Sequence, residues 1–459
     1  MPTLTTATDL QAFAAAQRET FNLPAITIAL WQDGQLHQAA SGLLNLETGV
    51  EATTDSVFQI GSITKVMTTC LVMQLVDQGR VELDQPVIRY LADFQVACPE
   101  ATASITVRQL LNHTNGIAGD FFPKETGGGH LIARYIDRCN LLPQVHPIGE
   151  QYSYSNSAFV IAGRLVEVVL GISWYQAMQD YIFKPLGMNH ALADPKELIR
   201  FRAAMGHIQK DNGEGWYQPE DAWLAEGMAP CGSTPTMSVG DLITFAQAHL
   251  NQGKNQQGEQ WLSAKSVAAM QNPSIALPAI SGGLNSSAGL GWGLKCYSNG
   301  IHSFGHNGAT SGFYSSLQIF PASNAAYAVL INGVHPAALL STQRALLKMM
   351  TGITVEEPAI DKRVALTPQH QQIAGHYESL DKVIKVSHND QGLRAHLVYK
   401  IDPLPDEHFQ LFPITDTCYG AEFDSGKRRG NLAFVYEQDP QTPAYCFDGS
   451  RLNPRLTYR

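Results

Sequence analysis

A serine and a lysine three positions apart, Ser62 and Lys65, are the residues of this sequence best placed to do chemistry. An apolar run at residues 57–60 predicts a strand before them, and residues 66–78 predict a helix that Gly79 ends. Three positions are about one helical turn, so the hydroxyl and the amine lie on one face. A serine attacks well when a base takes its proton, and burial can lower the pKa of a lysine enough to make it that base. Alone, the spacing is more typical of an ordinary helix start with Ser62 as N-cap.

A second group, Y-S-Y-S-N at residues 152–156, stands just before a helix predicted over residues 157–170. A phenol beside a lysine ammonium loses its proton more easily, so Tyr154 is a candidate general base. Asn156 carries both a donor and an acceptor, which suit it to hold Lys65 and a substrate amide. The alternative is a surface turn with an N-capping asparagine, and the motif alone favours that explanation.

A third group, G-H-N-G-A at residues 305–309, lies between two predicted strands. Its glycines allow the backbone to come close to a ligand, and the alternative is a tight turn with one exposed histidine. His302 and His306 are four positions apart, but in a strand they would not share a face as metal ligands on a helix do. We therefore predict no metal site and no cofactor.

The three groups in order, S-x-x-K, Y-x-N and a third motif ending in x-G, resemble the penicillin-recognising serine hydrolases. The branch is that of class C β-lactamases, D,D-peptidases, D-aminopeptidases and related esterases. The resemblance covers about residues 7–350. It favours catalytic roles for Ser62, Lys65 and Tyr154 over the N-cap and surface-turn explanations given above. Further matching stretches lie at residues 113–117, 149–156, 185–188 and 289–293.

This resemblance implies a mechanism in which Ser62 attacks a carbonyl and forms an acyl-enzyme. Lys65 and Tyr154 share the proton transfers, with Tyr154 as base and later as acid to the leaving group. The backbone N–H groups of Ser62 and Ala309 form the oxyanion hole. The other residues that the family places along the cleft are Asn156, His306 and Gly308.

One position departs from the family pattern. Penicillin-binding enzymes usually carry a lysine where this chain has His306, and its fixed charge helps to bind a substrate carboxylate. A histidine can be neutral near pH 7. This weakens the case for a dedicated β-lactamase and makes the chain more similar to the D-aminopeptidase and D-peptidase members.

The order of predicted elements is strands, then helices, then strands and a closing helix at residues 336–350. That order predicts an α+β, β-lactamase-like fold, in which an antiparallel sheet is flanked by helices beside a helical region. The domain boundaries predicted here are 1–354 for the catalytic domain, 355–368 for a linker and 369–459 for a small all-β barrel. The barrel resembles the lipocalin-like domains that some of these enzymes carry beside the cleft.

Two weaker candidates are Arg451, in the turn at residues 448–451, and Asp120, after the H-T-N-G stretch at residues 113–116. Arg451 could meet a substrate carboxylate, although a solvated surface arginine is the commoner case. Asp120 could hold a substrate amine. Four aromatic residues could line a wide acyl pocket, although burial in the core is their commoner fate: Phe121, Phe122, Trp216 and Trp223.

The composition limits the remaining functions. The 459 residues carry a net charge of −10 without a basic stripe, so we expect no nucleic-acid partner. No apolar run approaches the length of a membrane span, and residues 1–6 lack a signal peptide's basic and apolar regions. The 7 cysteines are scattered, which suits reduced thiols in a cytoplasm.

The leading hypothesis is a cytoplasmic serine acyl-enzyme catalyst for a small or peptide-like amide, ester or thioester. Water as acceptor makes it a peptidase or esterase, and an amine makes it a transferase. One transferase variant resembles the penicillin-binding-protein-type thioesterases, which release and cyclise nonribosomal peptides, and its partner would be a carrier-bound peptidyl thioester. The other alternative is a sensor that is acylated at Ser62 but not turned over.

Overall fold

The structure of the chain is a computed structural model. It describes residues 7–123, 130–210, 213, 215–279, 285–297, 299–355, 363–390, 392–400, 406–424 and 429–456.

Polar residues begin many of the helices by accepting a hydrogen bond from the first helical turn, as Thr106, Ser155 and Ser238 do. The N-cap of the helix after the Y-S-Y-S-N group is thus Ser155 and not Asn156. The helices are α1 (Ala7–Thr20), α2 (Thr64–Asp77), α3 (Pro99–Ser104), α4 (Val107–Leu111), α5 (Leu131–Asp137), α6 (Asn156–Leu170), α7 (Trp174–Met178), α8 (Lys184–Leu186), α9 (Val239–Leu250), α10 (Ala264–Gln271), α11 (Pro336–Thr351) and α12 (Pro368–Gln371).

The strands fall into four sheets. They are β1 (Ala25–Gln32), β2 (Gln35–Asn45), β3 (Val50–Glu51), β4 (Phe58–Gln59), β5 (Ala191–Leu192), β6 (Ile208–Gln209), β7 (Trp216–Tyr217), β8 (Thr236–Met237), β9 (Ile275–Ala276), β10 (Asn285–Ala288), β11 (Gly293–Cys296), β12 (His302–Thr310), β13 (Phe313–Phe320), β14 (Ala325–Ile331), β15 (Gly375–Glu378), β16 (Lys382–Asn389), β17 (Gly392–Tyr399), β18 (Glu407–Pro413), β19 (Cys418–Phe423), β20 (Arg429–Val435), β21 (Tyr445–Phe447) and β22 (Leu452–Pro454).

The largest sheet has the order β3-β2-β1-β14-β13-β12-β11-β10-β9, and its paired strands are antiparallel. Its centre joins the two ends of the catalytic region, because Ile26 of β1 pairs with Ile331 of β14. Apolar residues of α1 and α11 pack on one face, and the helical region packs on the other. This confirms the predicted β-lactamase-like α+β fold.

Helix α2 is the centre of the helical region, since every residue from Thr64 to Leu75 is buried. A helix that is apolar on all sides is stable only when other elements surround it. The side chain of Lys65, in the first turn of α2, is therefore held in the core with an exposed fraction of 0%.

The C-terminal strands form one antiparallel sheet in the order β15 to β22. A bridge between Tyr377 and Arg455 brings its two ends together, so the sheet is a nearly closed barrel. Its interior contains Tyr377, Tyr419 and Phe434. The predicted lipocalin-like barrel is thus confirmed.

The predicted linker at 355–368 falls partly outside the described residues, since residues 356–362 are not described, and neither are residues 1–6. The domain boundaries stay a prediction. Within the described part of the chain, no single helix has the length and apolar character to cross a membrane, whereas one pair bent by 83°, Asn156–Leu170 with Trp174–Leu186, has them jointly.

One element differs from the prediction in a way that affects the site. The G-H-N-G-A group was predicted to lie between two strands, with a tight turn as the alternative, but residues 305–309 lie inside the nine-residue strand β12, and the chain turns only at Ser311 and Gly312. Glycine has a low strand propensity, and pairing with β13 overrides it.

Candidate active site

Ser62 lies in a 3₁₀ turn, Gly61–Ile63, between β4 and α2. The residues at the N-cap positions of this turn and of α2 are Ile60 and Ile63, and neither cap has a side-chain hydrogen bond. The interpretation of Ser62 as a plain N-cap is therefore wrong. Its hydroxyl is left to interact with the residues of the cleft.

Lys65 Nζ donates to Ser62 Oγ at 2.9 Å and to the backbone carbonyl of Cys231 at 2.7 Å. The pKa of Lys65 is lowered to about 8, mainly by burial and also by the positive charge of Arg451, against the opposing effects of Cys231 and Asp120. A substantial fraction of the amine is then neutral near pH 7–8 and can accept a proton. Cys231 was not predicted, because a backbone carbonyl leaves no mark in the sequence.

Tyr154 completes this cluster. Its ring centroid lies 4.8 Å from Lys65 Nζ, and its hydroxyl interacts with Ser62. Burial raises the pKa of Tyr154 well above its usual value, and the Ser62 hydrogen bond and Arg451 only partly oppose this. The expectation that the lysine would make Tyr154 easier to deprotonate is not met in the free enzyme, because loss of solvent outweighs the nearby positive charges.

His113 is a neighbour for which the sequence suggested no role. Its ring stacks on Tyr154 with centroids 4.5 Å apart, and its Nδ1 accepts the N–H of Ser155 at 3.0 Å. Burial and the charge of Lys65 lower its pKa well below the usual value, so the ring is neutral. Its only signal in the sequence was its place in the H-T-N-G stretch.

Asp120, Asn156 and Arg451 form a second polar cluster beside Tyr154. Asn156 Nδ2 donates to Asp120 Oδ1 at 2.9 Å, and Arg451 Nη2 donates to the same oxygen at 2.7 Å. Arg451 Nε also pairs with Asp120 Oδ2. Arg451 is thus not a solvated surface arginine, and the Asp120 carboxylate already has two partners. Asn156 bonds to Asp120 where a bond to Lys65 was expected.

Arg451 reaches the cleft from the loop between β21 and β22 of the barrel. In the same loop, the backbone carbonyl of Ser450 accepts a hydrogen bond from the N–H of Tyr154 at 2.9 Å. Asp448 Oδ1 accepts the N–H of Arg451 at 2.8 Å, and Lys382 Nζ donates to Asp448 Oδ2 at 2.7 Å. Although burial opposes it, the charges of Lys382 and Arg451 lower the pKa of Asp448 to about 2. Arg451 Cζ lies 5.0 Å from the centroid of the Tyr154 ring, so the barrel contacts both the backbone and the ring of Tyr154.

Strand β12 forms the opposite wall. A two-residue turn makes Thr310 and Phe313 the hydrogen-bonded pair of its hairpin with β13, so the N–H of Ala309 points away from β13. It faces the Ser62 turn, because a Cβ built on Gly61 would lie 2.7 Å from Ala309 N. Two backbone N–H groups, those of Ser62 and Ala309, can thus converge on one oxygen.

Gly308 sets the distance between this wall and Ser62. A Cβ on Gly308 would lie 2.0 Å from the Ile60 carbonyl and 2.4 Å from Ser315 Oγ. We expect Gly308→Ala to move β12 away and to lower kcat/KM about 100-fold with little change in circular dichroism. Gly430→Ala is the control, because the nearest atom to its Cβ is at 3.6 Å. Equal activity of the two variants would contradict the assignment.

His306 points into the cleft from β12, with its ring 6.0 Å from that of Tyr154. Its Nδ1 donates to the Asn307 carbonyl at 2.5 Å, which leaves Nε2 as an acceptor. Burial and the charge of Lys65 lower the pKa of His306 to about 4. This direction agrees with the expectation of a neutral histidine at pH 7, which stays a prediction. Among the described residues, no three His, Cys, Asp or Glu are grouped as metal ligands.

The cleft around Ser62 has a volume of about 680 Å³. Its lining includes apolar residues, namely Phe122, Tyr152, Leu224, Met228 and Leu277. Of the four aromatic residues proposed for this pocket, only Phe122 is part of the described lining. Phe121 packs against Tyr135, and Trp216 donates to the Asn22 carbonyl on the other side of the sheet.

The pKa of Lys65 leads to a prediction about pH. The neutral amine is the form that accepts a proton, and its fraction rises as the pH passes through about 8. We expect kcat/KM to rise about tenfold per pH unit below this value and to level off above it. His306, with its pKa of about 4, adds no change between about pH 5 and 8. The test is kcat/KM for a p-nitrophenyl ester, and a rate that falls between about pH 6 and 8 would contradict the assignment.

The sequence profile of the beta-lactamase family matches residues 10–348. This chain belongs to the beta-lactamase family. It is a serine hydrolase, and the predicted relation to the penicillin-recognising enzymes is confirmed.

Similar proteins extend this family match beyond the catalytic region. Penicillin-binding protein 4 of Amycolatopsis lactamdurans is 37% identical over 372 residues, which are 79% of this chain and 95% of that protein. The crystal structure of SurE covers 98% of this beta-lactamase family member and 99% of its own chain, with a TM-score of 0.79 and 25% identity. A structure of SurE with D-Leu has a TM-score of 0.77 and 26% identity over the same shares.

A third structure shows only a common fold. The octameric penicillin-binding protein homologue of Pyrococcus abyssi has a TM-score of 0.66 at 21% identity, and covers 95% of this chain and 97% of its own. The arrangement of a catalytic domain followed by a barrel is therefore one that solved structures share.

Proposed function

We propose that this protein is a serine acyl-enzyme catalyst that cleaves a peptide-like amide, ester or thioester bond next to a D-configured residue. The observation that carries the proposal is the 2.9 Å contact between Lys65 Nζ and Ser62 Oγ in a site that lowers the pKa of the lysine. A nucleophile within hydrogen-bond reach of a partly neutral base is the arrangement that acyl transfer needs.

The reaction begins when the neutral Lys65 takes the proton of Ser62 while Oγ bonds to the substrate carbonyl carbon. The N–H groups of Ser62 and Ala309 stabilise the negative oxygen, a contribution of about 3 kcal/mol for each such donor. Tyr154 keeps its proton in the free enzyme and gives it to the leaving group as the carbon–heteroatom bond breaks. Lys65 then reprotonates Tyr154, and water or an amine attacks the acyl-enzyme by the reverse sequence.

The D configuration is supported by the likeness to SurE, one of whose structures contains D-Leu and which this chain matches over both domains. The apolar residues that line the cleft would take the acyl side chain. Asn156 and His306 would bind the substrate amide, and Gly308 would let its backbone lie close to β12. Arg451 and Asp120 would close the acyl end of the cleft as a pair, with Arg451 also available to a substrate carbonyl.

The transferase variant is favoured by the size of the cleft. About 680 Å³ accommodates several residues and not only one amino acid. A peptidyl thioester on a carrier protein, released by attack of its own amine, would use that space. This partner, the cytoplasmic location and the roles of the site residues are proposals. Cell fractionation with an antibody tests the location.

The experiment is a panel of D- and L-peptide amides, p-nitrophenyl esters, peptidyl thioesters and nitrocefin, with products identified by mass spectrometry. We expect turnover of D-configured donors, and we expect Ser62→Ala to abolish it. If every donor left an adduct on Ser62 that persisted for hours, the protein would be the acylated sensor and not the catalyst. Turnover by Ser62→Ala equal to that of the wild type would refute the mechanism.

A further inference from the structure

Lys295 lies on β11, the neighbour of β12, and is directly opposite Ser303. Alternate residues of a strand share a face, so Lys295 lies on the same face of the sheet as Gly305 and Asn307. His306 points to the opposite face, towards Ser62. The cation that the third motif lacks is thus present on the next strand, on the other face of the sheet.

The cleft that contains Ser62 extends to Lys295. The pairing of β11 with β12 ends at Gly293 and Gly305, so among the described residues no strand pairs with this edge of β12 from His306 onwards, and Gly308 and Ala309 face the Ser62 turn instead. The lining of the same cleft includes Gln343 of α11, so the cleft reaches a groove beside that helix. We call this groove the rear arm and define it by Lys295, Gly305, Asn307, Gln318 and Gln343.

The rear arm carries one positive charge and amides. Gln343 Nε2 donates to Asn307 Oδ1 at 2.8 Å, and Gln318 Nε2 donates to Ser303 Oγ at 2.9 Å. Burial lowers the pKa of Lys295. No carboxylate among the described residues pairs with it. A partly buried ammonium without an anion is unfavourable, and a ligand that brings an anion removes this penalty.

The position of Lys295 limits the ligand. Ser303 and Ala309, the oxyanion donor, are six positions apart, which is about 20 Å along a strand. A lysine stem reaches about 6 Å, so its ammonium lies at least about 14 Å from the reacting carbonyl. The α-carboxylate of a single amino acid leaving group cannot span this distance. A chain of about four residues or of similar length can.

We propose that Lys295 is a specificity residue that binds the terminal anion of a long leaving group, a carboxylate or a phosphate, in the rear arm. This inference rests on the proposed function. The bond changes stay those of acyl transfer: the Ser62 Oγ–carbon bond forms, the bond to the leaving heteroatom breaks, and that atom takes a proton from Tyr154. Lys295 changes no bond.

The experiment compares donors with one D-configured acyl group and four thiol leaving groups. These are N-acetylcysteamine, pantetheine, pantetheine phosphate, and a four-residue peptide thiol with a free carboxylate. We expect the wild type to favour an anionic group about tenfold in kcat/KM over the neutral group of equal length. Lys295→Gln should remove this preference and leave the N-acetylcysteamine rate unchanged, Lys295→Arg should retain it, and the exposed Lys348→Gln is the control.

A binding measurement separates this inference from the proposed function. Calorimetry measures the affinity of the Ser62→Ala variant for two pairs of ligands: pantetheine and its phosphate, and the peptide and its C-terminal amide. The same measurements are repeated with the double variant that also carries Lys295→Gln. Preference for the phosphate or for the carboxylate identifies the source of the anion. Equal affinity for charged and neutral chains, or equal losses for both in Lys295→Gln, would overturn the role of Lys295. Absence of turnover by the wild type would instead refute the proposed function.

Discussion

Replacement of Lys65 by methionine is expected to lower kcat/KM by about 10⁴-fold, because nucleophile and base act as a unit. Methionine fills the buried space without an amine, so Ser62 loses its proton acceptor while the first turn of α2 keeps its packing. The double variant with Ser62→Ala should be little worse than either single variant. Lys184→Met, at an exposed lysine of α8, is the control. A residual activity within tenfold of the wild type would show that Lys65 is not the base.

The same substitution should increase stability. The pKa of Lys65 falls from 10.5 to about 8 on folding, so the folded state disfavours the charged amine. This penalty grows as the pH falls from 10.5 to about 8 and is complete below that, where it amounts to about 3 kcal/mol. At pH 7, Lys65→Met is therefore expected to raise the free energy of unfolding, measured with urea. At about pH 11 the gain should vanish, and an equal gain at both pH values would contradict this origin.

Arg451→Gln is expected to lower the free energy of unfolding by about 3 kcal/mol, because it leaves the Asp120 carboxylate buried without its charged partner. Adding Asp120→Asn should recover most of the loss. The single variant should also lose about 10- to 100-fold in kcat/KM, since the Arg451 loop holds the backbone and ring of Tyr154.

The control for Arg451 is Arg89→Gln, which breaks only an exposed pair with Glu82. Urea unfolding and steady-state kinetics on one ester measure both effects. Equal stability of Arg451→Gln and Arg89→Gln would mean that the ion pair across the two domains contributes nothing.

Local patterns predicted the positions of the reacting groups. The S-x-x-K and Y-x-N spacings placed Ser62, Lys65 and Tyr154 near helix starts. These predictions succeeded because each depends on neighbours within a few residues.

The second polar cluster could not be predicted in this way. Asp120 and Arg451 are 331 residues apart, and the turn that carries Arg451 has the composition of any surface turn. The direction of the Tyr154 pKa depends on burial, which spacing does not show. The third motif was placed between two strands, but it lies inside β12, because pairing with β13, further along the chain, outweighs the low strand propensity of its glycines.

The pairing of β1 with β14 has a consequence for biosynthesis. The partners Ile26 and Ile331 are separated by 305 positions, so the ribosome must add β14 long after β1 has emerged. At about 5–20 residues per second this takes about 15 to 60 s, and during that time one edge of β1 has no strand beside it. Chaperones that shield nascent strands, or slower growth at low temperature, are expected to raise the yield of folded enzyme.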